Sequence, residues 1–501
     1  MPESMITKHM KRELEMRRKL LCVVMAGLCW IWAGRADCAY HHQGEMDSSV
    51  FLEAYPDKAG TKLDSCTLCH TGGKYVKNGK EVSLGSCQWC HYSYGYDKSG
   101  DITNTLNAYG KDYWTNGRNA ASLTAINNMD SDGDGYSNKE EIAAVRYPGN
   151  PGDDPSKVTA PYRIYSRADL MSLPQHAQLQ LMNTHKSSDS YAQYSGVTMP
   201  TLLDSARKLP SATGILVYAP DGWSQYHPLE PDDDPLLYHV YGAYSQADFY
   251  YNPEADIAVN PTNGWCDYSS PSCQGLTHGS PLVNPSGLQM LLALLRDGES
   301  LVPGQLTADN KLDGEGPFRV VPPQKIPGPP DQRSTATNQN VIWPFDENAD
   351  HSAGFSTRTA TLIKVEPLPE GTTDVDTLEA GWNFVDEEKL IVYGAIDPLP
   401  NILEKMNTLI EMLASAGKDD FRCSRQKPLL IHKARTIKRL SAFGRIDAAQ
   451  SRLENDFLPK TNGCLATGSA DSDDWVLDCE LQKQIGWMVN ELTVFFRIMN
   501  P

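Results

Sequence analysis

The sequence is short of basic residues, and this shortage limits its partners. Its 501 residues contain 45 lysines and arginines against 63 aspartates and glutamates, which gives a formal net charge of -18. Phosphates of nucleic acids are bound by clustered lysine and arginine, so we expect no nucleic-acid partner. Beyond residue 34 the chain also lacks an apolar run of the roughly 20 residues that a membrane-spanning helix requires. The composition therefore predicts a solvated, acidic protein with no transmembrane segment in its mature form.

The first 39 residues have the order of an export signal. A basic region comes first, made of Lys11, Arg12, Arg17, Arg18 and Lys19. The apolar run that follows, residues 20–34, is too short to span a bilayer, and residues 36–39 offer small side chains for cleavage after Ala39. An uncleaved anchor is the alternative. This order predicts a periplasmic, extracellular or outer-surface protein, a setting in which disulfides persist.

Two pentapeptides of the form CxxCH stand close together: Cys66-Thr-Leu-Cys69-His70 and Cys87-Gln-Trp-Cys90-His91. Two thiols three positions apart can add to the two vinyl groups of one porphyrin, and the next histidine can then bind the iron. A zinc site or two crossed disulfides could also use the four cysteines, but neither needs a histidine after each pair. The pattern predicts two covalently bound haem c groups, with His70 and His91 as proximal ligands. Only 21 positions separate these histidines, so we expect the haems to exchange electrons directly.

We assign residues 40–118 to a small dihaem cytochrome c module. The stretch is poor in periodic apolar residues, so the haems are expected to replace a hydrophobic core. Each iron needs a sixth ligand. His41 and His42 are the first candidates, because adjacent side chains of an extended segment point to opposite sides. Met46, His176 and His185 are the reserves, and a frayed N-terminus with idle histidines is the alternative.

The next segment, residues 119–157, contains an EF-hand-like calcium loop. Counted from Asp130, oxygen-bearing residues occupy loop positions 1, 3, 5, 7, 9 and 12, and Gly135 occupies position 6. The predicted ligands are Asp130, Asp132, Asp134, the Tyr136 carbonyl, Asn138 and a bidentate Glu141. A second loop is not evident, which favours a structural clamp over a paired calcium sensor. The alternative is an acidic turn that binds nothing tightly.

The remainder divides into a β-rich domain, residues 158–398, and a C-terminal helical bundle, residues 399–501. Apolar runs at 214–219, 360–366 and 390–393 predict strands, and residues 288–295 predict a short helix or strand. Four later segments repeat apolar residues at helical spacing: 402–416, 429–442, 446–457 and 475–498. We expect disulfides between Cys464 and Cys479 and between Cys266 and Cys273, while Cys423 has no obvious partner. The fold class is multidomain α+β.

The order of segments in the β-rich domain resembles that of sulfite-oxidase-like molybdopterin-binding domains. The resemblance rests on residues 197–203, 219–222, 291–298 and 314–322. The motif Gly314-Glu315-Gly316-Pro317 beside two CxxCH sites also resembles the bacterial, secreted GEGP-motif dihaem c-type cytochromes. The resemblance implies a sulfite-oxidase-like fold and an electron-transfer role.

One departure limits what the resemblance implies. The resembling enzymes bind molybdenum through a cysteine early in this domain, whereas the chain has no cysteine between Cys90 and Cys266. We therefore expect the fold without the metal chemistry. Backbone demands explain the Gly314-Glu315-Gly316-Pro317 turn, and Arg319 is expected to be a strand residue that pairs with an acidic neighbour.

These observations predict an exported dihaem cytochrome c that passes electrons to redox partner proteins or extracellular electron acceptors. The alternatives are an oxidoreductase whose β-rich domain holds a substrate or molybdopterin site, and a surface structural or adhesion protein. A pocket lined by Asp221, His227 or His239 would favour the enzyme.

Overall fold

The structure is a computed structural model of a mixed α/β chain. It describes residues 47–70, 74–77, 80–83, 105–182, 189–220, 223–230, 238–242, 250–251, 266–281, 284–306, 312–323, 352–376 and 381–500. None of the helices in this described part is both long and apolar enough to cross a membrane.

Helices occupy both ends of the described chain. In order they are α1 (Asp47–Ala54), α2 (Ala108–Thr115), α3 (Ala120–Ala125), α4 (Asn138–Ala143), α5 (Arg167–Ser172), α6 (Met199–Ala206), α7 (Gly381–Asp386), α8 (Leu399–Ser415), α9 (Gln426–Ala442), α10 (Ile446–Arg452), α11 (Gly463–Thr467) and α12 (Cys479–Met499). A π-helical turn, Leu453–Phe457, continues α10. Short 3-10 turns lie at Pro56–Lys58, Cys66–Leu68, Pro271–Cys273, Ser352–Phe355 and Leu458–Lys460.

Strands fill the middle of the chain. They are β1 (Lys74–Lys77), β2 (Lys80–Ser83), β3 (Val158–Thr159), β4 (Tyr162–Ser166), β5 (Gln175–Met182), β6 (Asp189–Thr198), β7 (Gly214–Tyr218), β8 (Ser224–Pro228), β9 (Tyr250–Tyr251), β10 (Cys266–Asp267), β11 (Ser280–Pro281), β12 (Leu291–Arg296), β13 (Glu299–Ser300), β14 (Gln305–Leu306), β15 (Leu312–Asp313), β16 (Arg319–Val321), β17 (Leu362–Glu366), β18 (Thr372–Thr373) and β19 (Lys389–Gly394).

A five-stranded sheet has the order β4-β19-β17-β7-β8. Its pairs are antiparallel except for the parallel pair β17 and β19. The three runs predicted as strands form β7, β17 and β19, and β7 and β19 are mostly buried. Branched side chains such as Ile215, Val217 and Ile363 meet in its core, as a strand buried by other elements requires.

A six-stranded sheet is built on the long hairpin of β5 and β6. Strand β12, the run for which helix and strand were both open, pairs with β6 and β16. Its pairing with β6 contains a bulge between Ala293 and Leu295. At Gly196 the neighbouring strand is so close that an added Cβ would lie 2.1 Å from the Leu292 carbonyl oxygen. Only glycine fits this position.

We expect Gly196→Ala to destabilise the protein by about 3 kcal/mol, because backbone must move to admit the methyl group. Gly152→Ala is the matched control, since its Cβ would meet only the Asn150 side chain, at 3.4 Å. Urea unfolding of the two variants measures the difference. Equal unfolding midpoints would contradict the close packing of β6 on β12.

The turn at residues 314–317 follows backbone demands, as expected. Gly314 has φ +84°, and a Cβ on Gly316 would lie 2.5 Å from the Leu301 carbonyl oxygen. The turn carries Glu315 between two guanidinium groups: Arg296 lies 3.1 Å from its Oε1, and Arg319 pairs with its Oε2. Arg319 is in β16, so the prediction of a strand residue paired with an acidic neighbour is confirmed. Burial raises the pKa of Glu315, but attraction to Arg319 and Arg296 outweighs it and lowers the pKa below its usual value.

The C-terminal helices α8, α9, α10 and α12 share one apolar core. A disulfide joins Cys464 to Cys479 at the start of α12, which confirms that prediction. The predicted bond between Cys266 and Cys273 is wrong, because Cys273 is a free, buried thiol that packs beside Leu181 and Tyr191. Burial raises the pKa of Cys273 to about 11. The exposed Cys423 is also free, as expected.

The described N-terminal residues belong to an apolar core that they share with the five-stranded sheet, whereas haem was expected to replace such a core. Phe51, Leu63, Leu68, Tyr109 and Tyr113 are buried in this core. Leu362, Ile391 and Tyr393 of the five-stranded sheet complete the same cluster. The sequence pattern missed this core because its members are scattered over short elements instead of repeating along one helix.

Candidate functional site

The first CxxCH pentapeptide forms a tight turn, residues 65–70, which we call the CxxCH turn. Ser65 Oγ accepts a hydrogen bond from the Thr67 amide at 3.2 Å, and this caps the short helix Cys66–Leu68. The His70 amide donates to the Cys66 carbonyl at 2.8 Å. These bonds place both half-buried thiols and the imidazole on one turn of chain.

The segment that leads into α2 holds this turn from the other side. The Asn107 amide donates to the Cys69 carbonyl at 2.8 Å, and Asn107 Nδ2 donates to the Leu68 carbonyl at 2.9 Å. Asn107 Oδ1 also accepts from the Gly110 amide, so one side chain caps α2 and fixes the turn. At Gly110 an added Cβ would lie 2.5 Å from the Cys69 carbonyl oxygen. Helix α2 therefore packs directly on the turn.

The His70 ring is oriented by a hydroxyl group. His70 Nδ1 lies 2.7 Å from Thr105 Oγ1, and Thr105 is buried. When Nδ1 carries the proton and donates it to this oxygen, Nε2 keeps the lone pair. Histidines that bind metals are held in the same way, through a hydrogen bond from the other ring nitrogen.

A buried ion pair lies just before the CxxCH turn. Lys62 is 0 % exposed, and its Nζ is 2.7 Å from both Asp153 Oδ2 and Thr373 Oγ1. The ammonium also lies 4.8 Å from the centroid of the Tyr147 ring. Burial lowers the pKa of Lys62, and the nearby Asp153 opposes this. The contact of Lys62 with Asp153 crosses the predicted domain boundary at 118, and its contact with Thr373 also crosses the boundary at 157.

A second buried pair continues this network into the five-stranded sheet. Asp374 Oδ1 lies 2.9 Å from Lys364 Nζ and accepts a hydrogen bond from the Tyr393 hydroxyl at 2.8 Å. Burial raises the pKa of Asp374, but attraction to Lys364 and Lys62 outweighs it and holds the pKa below its usual value. The CxxCH turn is thus tied to the sheet through charged groups that have little contact with water.

The acidic loop, residues 130–141, brings three of its predicted ligands together. Carboxylate oxygens of Asp130, Asp132 and Asp134 all lie within 4.8 Å of one another. The loop is shaped by hydrogen bonds from its own amides: those of Gly133 and Gly135 donate to the two oxygens of Asp130 at 2.7 and 3.0 Å. The Tyr136 amide donates to Asp134 Oδ1 at 2.9 Å.

Glu141, at the end of the loop, is 0 % exposed, yet neither of its carboxylate oxygens has a hydrogen-bond partner. Asp132 Oδ2 and Asp134 Oδ2 are likewise buried without a hydrogen-bond partner. Burial, together with the charges of Asp132, Asp134, Asp153 and Asp130, raises the pKa of Glu141 to about 9. Burial and the neighbouring Asp134 also raise the pKa of Asp132 to about 6. The carboxylates of Asp130, Asp132, Asp134 and Glu141 therefore repel one another.

The side chain of Asn138, which is also a predicted ligand, makes hydrogen bonds inside the loop. Its Nδ2 donates to the Ile126 carbonyl at 2.8 Å and to Ser131 Oγ at 2.9 Å, while its Oδ1 accepts from the Ser131 amide at 3.2 Å. Ser131 Oγ in turn donates to Asp112 Oδ2 at 2.7 Å. Asn138 therefore braces the loop internally and ties it to α2.

Several predicted site residues lie outside the described residues: Cys87, Cys90, His91, His41, His42, Met46, His185 and Asp221. His176, a reserve distal ligand, is in β5, and its Nε2 lies 3.2 Å from Gln178 Oε1. His227 and His239 are buried, and burial lowers the pKa of His227 to about 4. A cavity of about 360 Å³ lies elsewhere, between the five-stranded sheet and the bundle, and is lined by residues that include Tyr162, Phe384, Lys405 and Glu491.

No family model, curated protein or solved structure matches the chain. Functional inference therefore rests on the residues and on the geometry described above.

Proposed function

We propose that the protein is an exported dihaem c-type cytochrome that transfers single electrons. The observation that carries the proposal is the CxxCH turn, where two half-buried thiols and a histidine share one turn and Thr105 orients the imidazole. A disulfide role for the four cysteines gives no reason for a histidine oriented after the second thiol, and a zinc site made of the four thiols does not need one.

The residues of the turn fit a covalently attached haem. Cys66 and Cys69 would form the thioether bonds, and His70 would bind the iron through Nε2 while Nδ1 donates to Thr105. Cys87, Cys90 and His91 would hold the second haem in the same way, and His41 and His42 are the proposed distal ligands. Haem supplies one-electron chemistry, and the chain supplies ligands, burial and a docking surface.

In this proposal the β-rich domain is a rigid body without a cofactor, which docks redox partner proteins or extracellular electron acceptors. The acidic surface and the signal-like N-terminus support a periplasmic or outer-surface location.

The proposal is tested on the full chain, made in a host that matures c-type cytochromes. A pyridine haemochrome assay should give two haems per chain, and a redox titration should show reversible one-electron steps. Stoichiometric zinc without haem would overturn the proposal. Near-stoichiometric molybdenum beside two irons would instead make the protein an oxidoreductase.

A further inference from the structure

We infer that the acidic loop binds one calcium ion and that the bound ion braces the CxxCH turn. The carboxylates of Asp130, Asp132 and Asp134 form the observed cluster. Glu141, whose two buried oxygens have no hydrogen-bond partner, is the proposed fourth ligand, and the Tyr136 carbonyl is the proposed fifth. The cation site does not depend on the proposed function, whereas its effect on electron transfer rests on that function.

The buried oxygens without hydrogen bonds require a positive charge. Both oxygens of Glu141, with Asp132 Oδ2 and Asp134 Oδ2, are buried and accept no hydrogen bond from the described residues. A buried acceptor left unsatisfied costs about 1–3 kcal/mol, and a charged one costs more. A proton on Glu141 would satisfy only one of these oxygens and would leave the two aspartates facing each other. One cation at the centre compensates all four.

The donors select the cation. All of them are oxygens, which excludes the nitrogen and sulfur sites that zinc prefers. Magnesium usually keeps several waters and takes one or two carboxylates, whereas calcium accepts six to eight oxygens at roughly 2.3–2.6 Å, including a bidentate glutamate. Four carboxylates at one site match calcium.

A continuous path of contacts leads from Glu141 to the CxxCH turn. The Arg146 amide donates to the Glu141 carbonyl at 2.7 Å, and Arg146 Nε lies 3.7 Å from Asp153 Oδ1. Asp153 pairs with Lys62, whose carbonyl accepts a hydrogen bond from Ser65 Oγ at 3.1 Å. Without the ion, repulsion among the carboxylates would displace Glu141 and so disturb its hydrogen bond with the Arg146 amide.

A second contact follows the same segment. At Gly149 an added Cβ would lie 2.5 Å from the side chain of Asn107. This side chain donates to the Leu68 carbonyl, and the backbone amide of Asn107 donates to the Cys69 carbonyl. The chain after α4 therefore contacts both Lys62 and Asn107, the two residues that hold the turn. We expect calcium to reduce local opening of residues 62–70.

Calorimetric titration of the chelator-treated full chain tests the site. One calcium should bind per chain, and Tm should rise with calcium concentration. Glu141→Gln should weaken binding at least tenfold without lowering Tm in chelator, because it also removes repulsion. Glu140→Gln is the matched control: Glu140 is exposed, accepts from Ser137 at 2.6 Å, and glutamine preserves this cap. Equal binding by both variants, or an equal Tm of the native chain in chelator and in calcium, would overturn the site.

Hydrogen exchange of the same protein tests the bracing. Calcium should slow exchange of the amides in residues 62–70 in the native chain and in Glu140→Gln, but not in Glu141→Gln. Stoichiometric binding without a change in this segment would overturn the bracing. Calcium binding by a protein that carries no haem would overturn the proposed function and leave the cation site standing.

Discussion

Replacing Cys66 and Cys69 together with alanine is expected to lower the haem content from two per chain to one. Both thioether bonds of one haem are lost, so we expect that haem not to be attached covalently and not to remain with the chain after denaturation. The pyridine haemochrome assay measures the change directly. Cys423→Ala is the control, because this exposed thiol is free and lies in the helical bundle, outside the CxxCH pentapeptides. Two haems in the double variant would contradict the assignment.

A second substitution separates attachment from ligation. His70→Ala leaves both thiols in place, so two haems should remain while one loses its proximal ligand and its low-spin absorption. Loss of both haems in either variant would indicate that the turn fails to fold. Far-ultraviolet circular dichroism then distinguishes a local effect from a global one.

Local patterns were sufficient for much of the fold. The runs that form β7, β17 and β19 and the helices of the C-terminal bundle were predicted because each has a strong apolar period over a short window. The Cys464–Cys479 bond was also predictable from a short window, because its ends are only 15 residues apart. Helix α12 begins at Cys479, whereas its apolar pattern begins at residue 475, because Asp478 caps the first turn.

Contacts distant in sequence could not be predicted in this way. Lys62 reaches Asp153 across 91 positions and Thr373 across 311, and nothing around it marks a buried lysine. Thr105 and Asn107, which hold the CxxCH turn, carry no motif either. The hydrogen bonds of Asn138 inside the loop were not predictable either, because its loop position indicated only a ligand.

The GEGP turn shows how a motif can have a structural explanation. Gly314 and Gly316 meet backbone demands, while Glu315 neutralises Arg296 and Arg319 between two strands. The Cζ atoms of Arg296 and Arg319 also lie 5.9 and 5.7 Å from the centroid of the Tyr194 ring. The motif therefore stabilises the six-stranded sheet, and the proposed redox chemistry is assigned to the two CxxCH pentapeptides.

Lys62→Met is expected to destabilise the protein by about 3–5 kcal/mol, because removing the closer cation of a buried ion pair leaves its partner poorly compensated. That partner is Asp153, which is buried, accepts a hydrogen bond from Thr373, and retains Arg146 Nε as a cation at 3.7 Å. Urea unfolding measures the loss. Lys389→Met is the matched control: Lys389 pairs with Glu387 at the surface, where such pairs contribute roughly 0–1 kcal/mol.

A double variant shows whether the charge of Asp153 causes this loss. Adding Asp153→Asn to Lys62→Met removes the poorly compensated charge, keeps a side chain of similar shape, and should recover part of the stability. Lost packing of the lysine stem against Tyr147 would not be recovered in this way. If Lys62→Met unfolds at the same urea concentration as Lys389→Met, the buried pair does not hold the segment before Cys66. The path from the acidic loop to the CxxCH turn would then lack its central link.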